Sequence, residues 1–331
     1  MLTTYLQLLT EKKFLTEKEA EAAMSLILEN AESHQIAAFL SILKYRGETV
    51  EEIAGMVKAL EKKAIPVTLT RPTLDIVGTG GDMANTVNIS TGSAILAAAC
   101  GIPIAKHGNR SVSSQSGSAD VLEALGINIE VPPEKIQESL EKLNIAFMFA
   151  SNYHPCLKKV RSIRKELKIP TVFNILGPLL NPAKTPYALI GVANPNLLKK
   201  VAQTILYLNH KKRALVFHGS GLDELTSLGK ILAYDIHEGQ IKKLKIDPVS
   251  LGFSPCSLQD LQGGNAIQNA SILLEVFKGK KSPVADALIF NAGAALWIFN
   301  KTESLIEGIY LARRVLEAGK ALELLNKWKA L

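Results

Sequence analysis

From Leu74 onward the chain alternates short apolar runs with stretches of helical spacing, and few folds accept that pattern. The runs are "LDIV" from Leu74, "IPIAK" from Ile102, "IAFMFA" from Ile145, "YALIGVA" from Tyr187 and "RALVFHG" from Arg213. Helices are predicted from about Thr91 and from about Ser118. Each run is too short for a helix and reads as a buried strand. Strands alternating with helices predict an α/β fold, a central and mostly parallel sheet flanked by helices. "ILAYDIHEGQIKKLKI" reads as a hairpin turning at Glu238 and Gly239, and residues 265–331 as mostly helical.

The chain before Leu74 has a different grammar. Thr16 with Glu19 and Thr49 with Glu52 are two capping boxes, each opening a helix. Ile36, Phe39, Leu40 and Leu43 form one apolar helical stripe that stops at Gly47. "IPVTLTRP" (65–72) cannot continue a helix and reads as a linker. This predicts a small all-helical domain over residues 1–66 and an α/β domain over 72–331. The stripe is more apolar than so small a bundle can bury alone. Self-association through it is expected, with packing against the larger domain as the alternative.

Composition narrows the class of partner. With 331 residues, 47% of them apolar, the chain can bury a sizeable core. The N-terminus lacks the basic head and apolar run of a secretory leader. The longest apolar stretch, "VADALIFNAGAALWIF", is interrupted by Asp286 and Asn291 and reads as a core helix, not a membrane span. Cys100, Cys156 and Cys256 are far apart, so neither a disulfide framework nor a zinc site is implied, and a reducing cytoplasm fits. The net charge of +7 comes from scattered lysine runs without interleaved aromatics. It reads as a solvated surface and not as a nucleic-acid-binding face.

Three stretches that follow predicted strands carry chemistry, and an open sheet of this kind binds its ligand at the carboxyl ends of strands. "GTGGDMANTVNIS" (78–90) offers glycines whose amides can face a phosphate, then Asn85, Asn88, Ser90 and Thr91 at the start of a helix. It lacks the lysine of a Walker loop, and Asp82 argues for a phosphate on a sugar or one accompanied by a metal. "KHGNRSVSSQSGSAD" (106–120) joins Lys106, Arg110 and several serines into a second anion cradle. "HGSGLDE" sets Asp223 beside Glu224; next to a polyphosphate such a pair can hold Mg²⁺, with the Ser90 hydroxyl as a further ligand.

"GTGGD…NTVNIST", "KHGNRSVSSQSGSADVLEALG", "VRSIRKEL…TVFNILGPLLNP", "HGSGLDE" and "GGNAIQNA…FNAGAAL" follow one another across nearly the whole chain. In this order they resemble the anthranilate phosphoribosyltransferase family of tryptophan biosynthesis. The resemblance implies transfer of phosphoribosyl from phosphoribosyl pyrophosphate (PRPP) to the amine of anthranilate, with release of pyrophosphate. It implies an active site in the cleft between the two domains, a helical segment at about 156–181 that returns to the small domain, and a homodimer joined through helical domains. The positions matching PRPP contacts are Gly78, Gly81, Asp82, Thr86, Asn88, Ser90, Thr91, Lys106 and Ser118. Those matching Mg²⁺ ligands, for two ions per subunit, are Ser90, Asp223 and Glu224. Anthranilate contacts fall on Gly78, Asn109 and Arg164, with His107 close by. Met83 stands where the family often has a small residue, and Pro170 where an arginine is frequent. A stiffer loop and a lost cation on the acceptor side are therefore expected. Two rivals keep the scaffold but change its use: a pyrimidine nucleoside phosphorylase, against which the "LDE" pair argues, and a nucleic-acid-binding relative, against which Arg164 and the intact carboxylates argue.

Overall fold

The computed structural model describes residues 1–111 and 115–331. Four helices come first: α1 (Leu2–Thr10), α2 (Glu17–Glu29), α3 (Ser33–Arg46) and α4 (Val50–Lys63). Both capping boxes form. The Thr16 and Thr49 hydroxyls accept from the amides of Glu19 and Glu52, whose carboxylates reach back to the cap amides. Glu52 is fully buried and does more than cap its helix. It accepts the Leu15 N–H and, on both oxygens, the Arg46 Nη2, tying the segment that leads into α2 and helices α3 and α4 to one carboxylate.

The α/β part contains β1 (Leu74–Gly78), α5 (Ile89–Ala99), β2 (Ile104–Gly108), α6 (Ser118–Ala124), α7 (Pro133–Leu143) and β3 (Ile145–Phe149). Short α8 (Ala150–Tyr153), α9 (Lys158–Leu167) and short α10 (Phe173–Leu176) come next. They lead to β4 (Tyr187–Gly191), α11 (Pro195–Leu208), β5 (Arg213–His218), β6 (Ile231–His237) and β7 (Gln240–Ile246). Four helices close the chain: α12 (Ala266–Phe277), α13 (Pro283–Ile298), α14 (Leu305–Glu317) and α15 (Lys320–Lys329).

The seven strands form one sheet in the order β3-β2-β1-β4-β5-β6-β7, parallel from β3 to β5 and antiparallel beyond. The expected hairpin turns at Glu238 and Gly239, both at positive φ (50° and 73°), as a two-residue turn between antiparallel strands requires. The strand order reverses direction between β1 and β4. That is the switch point at which an open sheet leaves a crevice beyond its carboxyl ends.

The apolar stripe of α3 has its partners within the chain. Ile36, Phe39, Leu40 and Leu43 are fully buried in a cluster that also takes Val160 and Ile163 of α9, Phe173 and Leu176 of α10, and the inner faces of β4 and β5. The alternative therefore prevails: the stripe packs against the rest of the chain and is not a self-association surface. The segment between β3 and β4 leaves the sheet to supply this packing, and it carries Arg164.

Glu52→Gln should leave Arg46 next to a neutral partner in a half-dry setting. Urea unfolding should then show a loss of about 3 kcal/mol, the cost of breaking one side of a buried pair. An unchanged midpoint would show that the bundle does not depend on this carboxylate.

Candidate functional site

β1 and β4 both end in glycine, Gly78 and Gly191, paired directly across the sheet. The loop after β5 crosses over this pair. A Cβ on Gly78 would overlap the Asp223 carboxylate, 2.8 Å from its Cγ, and one on Gly191 would lie 2.9 Å from the Asp223 Cα. Both positions are empty of side chain because Asp223 occupies the space. The crossing loop is pinned from behind by Asn291, which sits fully buried in the apolar helix α13. Its amide accepts from the Leu225 N–H (3.2 Å) and donates to the Leu225 carbonyl (2.9 Å). The polar interruption of that apolar run thus fixes the residue next to Glu224.

The two carboxylates face different neighbours. Asp223 accepts the Gly80 N–H at 2.6 Å and lies beside Asp82, whereas Glu224 accepts the Ser90 N–H at 3.0 Å. Both are buried. Burial, with the charge of Asp82 added, raises the Asp223 carboxyl to about 7. Burial and the neighbouring Asp223 also push Glu224 well above the usual carboxylate range. Among the described residues no three His, Cys, Asp or Glu side chains are placed to hold a metal ion alone. The donor set of Ser90, Asp223 and Glu224 suits an oxygen-seeking ion that completes its shell with water and substrate phosphate, which is the habit of Mg²⁺.

The glycine-rich loop between β1 and α5 runs through Gly80, Gly81, Met83 and Asn85 at positive φ. Successive turns of this kind aim backbone amides at a common anion. Met83 adopts φ 55° with its side chain 86% exposed, so the bulky residue stands outside the loop and its backbone bears the strain. Asn88 ends the loop and is fastened on two sides. Its Nδ2 donates to the Ser116 carbonyl (3.1 Å), and its Oδ1 accepts from Asn269 of α12 (2.9 Å). Thr86 makes a bridge with Gln262 through the backbone. Thr91 is fully buried, with no partner for its hydroxyl among the described residues.

The loop's missing lysine is supplied from the neighbouring strand. Lys106 of β2 is buried beneath it, with Nζ donating to the Ile76 carbonyl (2.5 Å) and 3.4 Å from the Ser90 Oγ. Burial pulls its pKa down, while Asp75, Glu224 and Asp223 pull it back up. Asp75, absent from the sequence-predicted site, is equally buried and receives the His107 N–H and the Asn181 amide. It is a buried carboxylate inside a strand run, which was the one available sign of it.

The second cradle differs from expectation. Arg110 points away to ion pairs with Asp120 and Glu123 of α6, so its charge is spent on that helix. Ser118 instead donates to the Asn109 carbonyl at 3.2 Å, in the space left by the missing Cβ of Gly108. Residues 112–114 of the stretch lie outside the described residues. His107 is buried against His154, ring centroids 5.3 Å apart, and burial depresses its pKa to about 3, so the ring is neutral. Its Nε2 has no hydrogen-bond partner among the described residues.

Arg164 and Arg161 of α9 separate clearly. Arg161 is exposed and donates to the Ser151 hydroxyl. Arg164 is half-buried over the Phe173 ring, 5.4 Å to its centroid, and no carboxylate pairs with it among the described residues. Its guanidinium reaches the Asn174 Oδ1 at 3.5 Å, and the Asn174 amide faces Gly81 across the crevice. A cation without a carboxylate partner among the described residues thus stands near the glycine-rich loop. Pro170 is exposed at the end of the turn before α10.

Known proteins share this fold. The helical bundle domain of a glycosyl transferase family matches residues 3–64, and the α/β domain of that family matches residues 70–322. An anthranilate phosphoribosyltransferase from Chlamydia caviae is 61% identical over 330 residues, spanning 100% of this chain and 96% of that protein. The chain belongs to the anthranilate phosphoribosyltransferase family. A crystal structure of the family's enzyme from Thermus thermophilus superposes with a TM-score of 0.92 at 40% identity, covering 98% of each chain. The Saccharomyces cerevisiae enzyme in complex with PRPP and Mg gives the same TM-score, 0.92, at 28% identity, over 99% of this chain and 97% of that one.

Gly78→Ala is expected to force the Asp223 carboxylate off the strand ends while leaving the sheet intact. Titration calorimetry with Mg²⁺ and PRPP should show binding weakened by about tenfold or more, with a thermal midpoint within a few degrees of the parent. Unchanged binding would mean that the fit of Asp223 over Gly78 is not needed.

Proposed function

We propose that this chain transfers the phosphoribosyl group of PRPP to the amine of anthranilate, giving N-(5-phosphoribosyl)anthranilate and pyrophosphate. The observation that carries this reading is the crevice itself. It has a nest of amides with a buried lysine and two buried carboxylates on one wall, and an unpaired arginine on the other.

In this reading the loop amides of residues 78–82, with Thr86, Asn88, Ser90, Thr91, Lys106 and Ser118, receive PRPP. They stabilise the negative charge that grows on the leaving pyrophosphate as the ribose gains oxocarbenium character. Ser90, Asp223 and Glu224 hold Mg²⁺, which supplies charge neutralisation to that leaving group. Two ions per subunit fit the divergence of the carboxylates, one toward Gly80 and the other toward Ser90. Arg164 grips the anthranilate carboxylate, with Asn109, Gly78 and the neutral His107 around the ring, and aims the amine at C1. The amine is a nucleophile at neutral pH, so the protein supplies position more than a base.

We divide the chain into a helical unit, 1–66 with 156–181, and an α/β unit, 72–331, that meet at this crevice. A homodimer joined through the helical unit remains part of the proposal. Its support is no longer the α3 stripe but the exposed Phe14 and Tyr45 of that unit. A cytoplasmic setting accords with three free cysteines.

The direct test follows anthranilate fluorescence in the presence of PRPP and Mg²⁺, where it should decay. Arg164→Ala should reduce anthranilate use roughly ten- to hundred-fold, the worth of a charge-assisted contact, and change PRPP affinity little. Arg161→Ala should be nearly silent. Equal effects of the two, or a defect confined to PRPP, would remove Arg164 from the acceptor site.

Acidity should act on the metal side. Asp223, raised to about 7, must release its proton before it can hold a cation. Affinity for Mg²⁺ with PRPP should therefore climb as pH rises toward neutrality, by at most about tenfold per unit for each proton displaced. Calorimetry at about pH 6 and about pH 8, on either side of that value, measures this, and equal affinities would contradict it.

A further inference from the structure

The stretch "GGNAIQNA" has no role in the reaction as described, yet it lies against the diphosphate loop. Residues 261–263 pair with 85–87: Gly263 donates to the Asn85 carbonyl (2.8 Å), Val87 to the Leu261 carbonyl (3.0 Å), and Thr86 bridges Gln262. Behind this strap sits Asn269, 1% exposed on α12. Its Oδ1 accepts the Gly264 N–H at 2.7 Å. A backbone N–H can only donate, so the oxygen end of Asn269 faces Gly264 and its NH₂ must face Asn88. There it donates to the Asn88 Oδ1 at 2.9 Å. Asn88 in turn has only one way round. Its oxygen accepts from Asn269 and, at 3.3 Å, from the Ser116 hydroxyl, and its NH₂ is toward the Ser116 carbonyl, with one N–H left over. Gly263 is a glycine for the same reason, because a Cβ there would overlap the Asn269 Oδ1.

We infer that Asn269 is a positioning residue for PRPP: from a buried side chain it gives the Asn88 oxygen its shorter hydrogen bond and so holds the Asn88 amide in place. That bond keeps the spare Asn88 N–H available to the ligand and holds the loops of residues 78–88 and 116–118 at a fixed spacing. Without the donor from Asn269, the Asn88 oxygen keeps only the longer bond from the Ser116 hydroxyl, so the amide is fastened to one loop alone and the spacing relaxes. The inference rests on the proposed use of PRPP by this site.

Asn269→Ala tests the point, since alanine removes the donor to Asn88 without placing a new charge beside the ligand site. The KM for PRPP, measured with saturating Mg²⁺, should rise about tenfold, the weight of a lost buried hydrogen bond. The KM for anthranilate should stay near the parent value. In an Asn88→Ala background the same substitution should add nothing, because it acts through Asn88. Asn269→Leu, which keeps most of the side-chain volume, carries the identical test should the alanine variant not fold. A purely structural role would lower the thermal midpoint and leave the KM for PRPP unchanged. That result, or additive effects of the Asn88 and Asn269 substitutions, overturns the inference. A parent protein that neither binds nor turns over PRPP would instead overturn the phosphoribosyl reading on which it rests.

Discussion

The site depends on Asp223 lying over the ends of two paired strands. β1 and β4 are the strands at which the sheet reverses its winding, so the crevice beyond them is a consequence of topology alone. Topology does not put a carboxylate there. That requires two side chains to be missing at matched positions, Gly78 and Gly191, and a loop from β5 to cross the gap they leave. Asn291 holds the loop at Leu225 from the far side. The Gly80 amide then bonds to the Asp223 carboxylate, and the glycine-rich loop takes its first turn from that contact. The carboxylate pair and the glycine-rich loop are thus parts of one packing arrangement.

The same packing makes the metal-free site electrostatically uncomfortable. Three carboxylates, Asp82, Asp223 and Glu224, stand within one another's influence, with Lys106 as the buried counter-charge also claimed by Asp75. Burial disfavours the charged form and the repulsion from Asp82 adds to the same end, so the Asp223 carboxyl is raised to about 7. The sign of the effect on stability follows. The folded chain holds this proton more tightly than the unfolded one. The resulting stabilisation is complete at acid pH below the ordinary aspartate value and is lost as pH rises through about 7. On the proposed reading, a divalent cation removes the conflict at higher pH by taking the proton's place.

The strands, the hairpin, both capping boxes and the loops at the strand ends were legible because each depends on local chemistry. Thr-x-x-Glu, a two-residue turn and a short apolar run have the same meaning wherever they occur. Asp223 and Glu224 were legible as a pair, since adjacent acids after a strand have few other uses in such a fold. What could not be read was direction. Arg110 and Lys106 look alike in the sequence, but one turns to the acids of α6 and the other is buried under the loop. Arg161 and Arg164 are nearly one helical turn apart, and only packing against Phe173 decides which faces the crevice. The α3 stripe was visible as apolar, but its partner was not, because that partner is a segment far along the chain, beyond β3.

Several of the groups that sequence reading gave no role share a chemical type. Asn181, Asn269 and Asn291 each join the crevice to a distant part of the chain, at Asp75, at Asn88 and at the Leu225 backbone. A loop shaped to receive an anion spends its backbone amides on the ligand and has few left for itself. It must be held from outside by groups that both donate and accept, and that carry no charge to compete with the substrate. The carboxamide side chain meets all three demands, and when buried it has a single orientation that satisfies its partners. A lysine in these places would draw the phosphate to itself, and an aspartate would repel it. Asparagine can hold such a loop because it does neither, and for the same reason it leaves no mark in a reading that searches for charge.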